Sequence, residues 1–97
     1  MNVIDYDTRR VVYEDAINKL GDRNQITKAI EEMSELTKEL CKYLEGAQDD
    51  KDKIYLEIAD VTIMMEQLRI IFECNDDVCE CMDFQIERLA KRLYTKI

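Results

Sequence analysis

Histidine, proline and tryptophan are absent from the 97 residues, and glycine occurs only twice. Without histidine there are no Ser-His or Cys-His nucleophile pairs and no Glu-x-x-His motif of the kind that builds di-iron sites in helix bundles. Chemistry is left to carboxylates, lysine, arginine and tyrosine. The four cysteines, Cys41, Cys74, Cys79 and Cys81, contain no C-x-x-C pair. They read as reduced thiols used as small packing residues, not as a disulfide frame or a zinc site. No apolar run approaches ~18 residues and no signal-peptide pattern opens the sequence, so neither membrane insertion nor export is expected, and the protein is expected to be cytoplasmic.

What is present bounds the rest. With 46% apolar and 37% charged residues, the composition is too apolar for disorder and fits a single domain over residues 1–97. A core this small is marginal alone, so a homodimer or homotetramer is expected. The net charge is −8 and no basic block gathers in one segment, which argues against nucleic acid as a partner. An anionic substrate would need a cation between it and the protein.

The two glycines, Gly21 and Gly46, stand where apolar periodicity pauses and read as helix terminators. After Gly21, Asp22 offers an N-cap with Gln25 at capping-box spacing; after Gly46, the acidic residues of AQDDKD can start another helix; in ECNDDVCE, Asn75 or Asp77 can cap. Four helices are predicted, at about 7–20, 23–45, 51–73 and 77–95, with no strand alternation, repeat or linker. The fold class is all-α, a four-helix bundle.

The third helix carries two apolar stripes on nearly opposite sides. Ile54, Ile58, Val61, Met65, Leu68 and Phe72 make one; Leu56, Ala59, Ile63 and Ile70 make the other. The solvent arc is Tyr55, Thr62, Glu66, Arg69 and Glu73. Glu57 and Asp60, three apart, fall between the stripes on the far side, in line with Met64 and Ile71, and are expected to point inward. On the second helix, Ile26, Ile30, Met33, Leu36, Leu40 and Leu44 are the expected core face, with Glu32 at its edge, Glu35 one step further round and Glu31 on the opposite flank. A tight turn at Gly46 makes these helices antiparallel neighbours and can bring Glu32 and Glu35 opposite Glu57 and Asp60. Four facing carboxylates cannot all stay ionised in a dry site without a cation. An all-oxygen set favours Mg²⁺ or Mn²⁺, which commonly shares its shell with substrate phosphates. Lys28 can reach such a phosphate or pair with Glu32 four residues on. The scattered tyrosines read as packing residues.

QITKAIEEMSELTKEL followed by IYLEIADVTIMMEQL resembles the E-x-x-E then E-x-x-D signature of the MazG-like, all-α nucleoside triphosphate pyrophosphohydrolases, over residues 23 to about 72. The resemblance matches Glu32 and Glu35 to the first pair and Glu57 and Asp60 to the second. It implies Mg²⁺-dependent cleavage between the α and β phosphates of a nucleoside triphosphate, giving the monophosphate and pyrophosphate. Any of the four carboxylates could be the base that activates water, and Glu35 is our choice. Arg88, Lys91 and Arg92 on the last helix are the phosphate-binding candidates that the resemblance suggests. The alternative from another class is a non-catalytic helical interaction module whose acidic cluster holds a structural cation or nothing.

Overall fold

The computed structural model describes residues 3–47 and 50–95. Every regular element among them is a helix: α1 (Tyr6–Leu20), α2 (Asp22–Leu44), α3 (Lys51–Ile71) and α4 (Asn75–Tyr94). The caps explain the boundaries. Asp5 starts α1 by accepting from the Thr8 amide at 2.7 Å, and Asp50 does the same for α3 through the Asp52 amide at 3.0 Å. Asp49, another acidic residue of that segment, lies outside the described residues.

Gly46, at φ +76°, closes α2 with the Ala47 amide donating to the Lys42 carbonyl at 2.9 Å. That is a left-handed cap suited to glycine. Two expected caps are corrected. Gly21, at φ +91°, both ends α1 and stands as the N-cap of α2, so Asp22 is already in the first turn. Cys74, not Asn75 or Asp77, precedes α4. Gly21 can take a backbone angle that Asp22 would adopt only with strain, which lets one residue serve two helices.

α2 and α3 form the main packed unit, an antiparallel hairpin; α1 lies across both, and α4 touches only α3. α1 anchors through buried Tyr13 and Ile17. The Tyr13 hydroxyl donates to Glu66 Oε2 on α3. Burial, and then this bond to a carboxylate, push the Tyr13 phenol up to about 12. Glu66, expected in solvent, is thus a partly buried tie to α1, which Arg9 joins at 3.9 Å.

The seam of the hairpin is not the expected apolar face. On α2 the buried residues are Gln25, Ala29 and Glu39, whereas Ile30, Met33, Leu40 and Leu44 are exposed. On α3 they are Met64 and Gln67, whereas Leu56, Ile58, Ile63 and Phe72 are exposed, Leu56 by 60%. Gln25 Nε2 donates to Gln67 Oε1 at 2.7 Å, and Lys53 Nζ lies 3.6 Å from Glu39 Oε1. Gln25, Glu32 and Glu39 on α2 and Lys53, Asp60 and Gln67 on α3 each step by seven residues, so in antiparallel register they form three polar layers. Seven residues is two helical turns to within about 20°, which keeps all three layers on one line of each helix. The α2 stripe is therefore rotated from the expected core face towards its acidic flank.

Candidate metal centre

The middle polar layer is the candidate site. Glu32 of α2 and Glu57 and Asp60 of α3 each bring one carboxylate oxygen into a group whose members all lie within 4.8 Å of one another, and all three side chains are half-buried. Helical spacing places Glu57 and Asp60 on the same side of α3, and the hairpin register carries Glu32 to them. Adjacent oxygens on one octahedral Mg²⁺ at ~2.1 Å lie ~3.0 Å apart, so a shift of about an ångström by each carboxylate would let all three grip one ion.

Glu57 is the telling member. Its Oε2 is buried and has no hydrogen-bond partner among the described residues. Its carboxyl is pushed above the ordinary carboxylate value, first by loss of water and then by the neighbouring charges of Asp60, Glu32, Glu35 and Glu39. A carboxylate in that position is strained towards protonation or towards a cation. An oxygen-only donor set with one unsatisfied oxygen fits a hard divalent cation such as Mg²⁺ or Mn²⁺.

Around the triad the charges alternate. Lys28 Nζ lies 3.0 Å from Glu32 Oε1, and the bond to Glu32, with smaller help from Glu31 and Asp60, raises the lysine above its ordinary value. Glu31 is exposed on the other flank. Towards the Gly46 turn, Glu39 is 2% exposed and is held by Lys42 and Lys53, each 3.6 Å from its Oε1. The deep placement of Glu39 and its two lysines was not anticipated, although its seven-residue offset from Glu32 was legible.

Glu35 is exposed and stays outside the triad, yet it is near enough for its charge to act on Glu57. The α4 candidates stand apart. Arg88 lies over the Phe84 ring at 5.9 Å, Lys91 pairs with Glu87 at 4.0 Å, and Arg92 is exposed. Because α4 meets only α3, and meets it through its first turns, the chain does not fold these three residues back over the carboxylates. A cleft of about 880 Å³ opens elsewhere, between α1, the second half of α3 and the start of α4, lined by Tyr6, Arg10, Tyr13, Glu66 and Arg69. It contains none of the carboxylates of the triad.

Comparisons with family profiles, with curated proteins and with solved structures give no match to this chain.

Proposed function

We propose that the chain is a Mg²⁺-dependent nucleoside triphosphate pyrophosphohydrolase of the MazG-like kind, acting in the cytoplasm as a homo-oligomer. The observation that carries the reading is the buried, unpartnered oxygen of Glu57 within a three-carboxylate group that spans two helices. Glu32, Glu57 and Asp60 would hold the ion. Bound there, Mg²⁺ (or Mn²⁺) would polarise a phosphoryl group and acidify a water.

The chain's own groups do the rest. Glu35, near enough for its charge to act on Glu57, would accept the proton of the attacking water. Lys28, already at the site's edge, can exchange its bond to Glu32 for one to a phosphate oxygen. Water attack breaks the bond between the α and β phosphates and gives a nucleoside monophosphate and pyrophosphate. Arg88, Lys91 and Arg92 could contribute to phosphate binding only if another copy presents them, given where α4 stands.

The test is a panel of ribo- and deoxyribonucleoside triphosphates with Mg²⁺, assayed for monophosphate and pyrophosphate. Release of both from at least one nucleotide, abolished by chelation, is the expected result. Silence across the panel would favour the non-catalytic module, for which the existing Lys28–Glu32 pair is the supporting observation: it already neutralises one of the three carboxylates.

A further inference from the structure

The accessible surface of this 11.5 kDa chain is 8120 Å², whereas a compact monomer of that mass exposes about 5800 Å². Its Cα radius of gyration is 16.6 Å, against about 12.5 Å for a compact chain of this length. An excess of about 2300 Å² per chain is the scale of an obligate homo-oligomeric interface. α4 is its most conspicuous source, because it has no buried residue at all.

The pattern on α4 is specific. At 100° per residue, Val78, Met82, Gln85 and Leu89 fall on one line with Ile86 and Leu93 beside it, and Met82, Ile86, Leu89 and Leu93 are all exposed. α3 borders one edge of this seam: Arg69 donates to Asn75 Oδ1 at 3.2 Å and lies 3.4 Å from Met82 Sδ. The other edge carries Asp77 near one end and Arg88 and Arg92 near the other, while Asp76, Glu80, Asp83, Glu87 and Lys91 lie on the far face.

We propose that α4 pairs antiparallel with α4 of a second copy, across a two-fold axis beside Gln85. In that register Val78 meets Leu93 of the second copy and Met82 meets its Leu89. The two Gln85 side chains lie together at the centre, where a lone polar residue in an apolar seam fixes register. An antiparallel two-fold brings like edges together with opposite ends matched, so Asp77 faces Arg92 of the second copy, twice over. Parallel pairing would instead set this edge against the opposite edge of the second copy's α4, which carries Asn75 and Ile86 and no charge, so the Asp77–Arg92 pairs would not form. Helix-dipole compensation also favours acids at the start and bases at the end of a helix, but it does not select the seam edge. A self-complementary edge is what a second copy requires, and a foreign partner imposes no such symmetry. This inference is independent of the proposed hydrolase activity.

The test uses the full chain with Cys41, Cys74, Cys79 and Cys81 replaced by Ser, and adds either Gln85→Cys or Glu87→Cys. Only a residue at the axis can bring its Cα near enough to that of its own copy for a disulfide. Mild oxidation is expected to link Gln85→Cys into a dimer and to leave Glu87→Cys, on the far face, unlinked. Arg92→Asp in the natural sequence should weaken the dimer about tenfold by light scattering, and adding Asp77→Arg should restore it. A monomeric wild type, equal linking at both cysteine positions, or a charge-swapped double variant no tighter than Arg92→Asp alone would each overturn the pairing.

Discussion

The α2–α3 hairpin and α4 invert the usual relation between polarity and burial in opposite directions. The hairpin hides Gln25, Gln67 and Glu39 in its seam and turns Ile30, Met33, Leu56 and Ile63 outward; α4 hides nothing and shows Met82, Ile86, Leu89 and Leu93. Polar groups in a seam must be satisfied by partners or by ligands, and contiguous exposed apolar groups need other surfaces. The hairpin is thus organised around what it holds, and α4 around what covers it.

The sharpest way to break that contrast is to disarm the middle layer of the hairpin. Glu57→Gln, Asp60→Asn or Glu32→Gln should each reduce turnover by ~100-fold or more, because each removes a charge that would position the ion. Glu31→Gln, on the exposed flank of the same helix, should stay within a few-fold of the natural protein. Mg²⁺ at about a hundred times its dissociation constant should stabilise the natural protein by ~2.7 kcal/mol, and should not stabilise the Glu57→Gln/Asp60→Asn double variant. Steady-state kinetics and melting curves with and without metal check both halves. Equal losses at Glu31 and Glu32 would show that the site is not where the hairpin places it.

This contrast also marks how much was legible in the sequence. The helices and their breaks were, because Gly21, Gly46 and the polar stretch ECNDDVCE interrupt strong periodicity. The inward aim of Glu57 and Asp60 was too, since they fall between two apolar stripes. The buried face of α2 was not. Apolar periodicity finds the faces that need cover but not whether this chain or another supplies it, and Ile30, Met33 and Leu40 are uncovered within the chain. The real seam carried a different signal, polar residues repeating every seven positions on both helices, which reads as an ordinary charged stripe until the antiparallel register pairs its members. Nor does spacing within one helix reveal that α4 leaves the hairpin, because that depends on the direction set at Glu73 and Cys74.

The second prediction concerns the Gln25–Gln67 layer. Gln25→Leu leaves the buried Gln67 Oε1 without the donor it now has at 2.7 Å, and should cost about 1–3 kcal/mol in chemical denaturation. Gln25→Leu with Gln67→Leu removes both polar groups and should recover most of that loss. A double variant as unstable as the sum of the single ones would mean that the amides are held by something other than each other.

The third prediction is smaller and concerns α1. Tyr13 is a neutral donor to Glu66 in the folded state, with its phenol raised from about 10 to about 12. A raised folded value means that the stabilisation is fully present below about pH 10 and is lost as pH climbs from about 10 to about 12. Tyr13→Phe should cost about 1–1.5 kcal/mol at neutral pH and should remove this alkaline loss. Parallel alkaline titrations of tyrosinate absorbance and helicity test it. An unchanged alkaline transition in Tyr13→Phe would show that another group controls it.

The smallest effect lies at the joint between the two regions. α2 and α3 end in the same way, with a left-handed residue and an amide reaching back five positions: Ala47 to the Lys42 carbonyl at 2.9 Å, and Cys74 to the Arg69 carbonyl at 3.0 Å. The left-handed residue is Gly46 at φ +76° in the first case and Glu73 at φ +50° in the second. The side chain of Glu73 forms no ion pair among the described residues, so the main consequence of its Cβ is backbone strain. Glu73→Gly should relieve that strain at the cost of greater freedom in the unfolded chain, a net stabilisation of at most ~1 kcal/mol. Gly46→Ala is the mirror experiment: a Cβ there would meet nothing within 4 Å, so its expected loss of about 1 kcal/mol is conformational. Denaturant midpoints at unchanged slope measure both. If Glu73→Gly destabilises instead, the glutamate is helping to hold the angle at which α4 leaves α3, and the separation of the two regions is a fixed part of the fold.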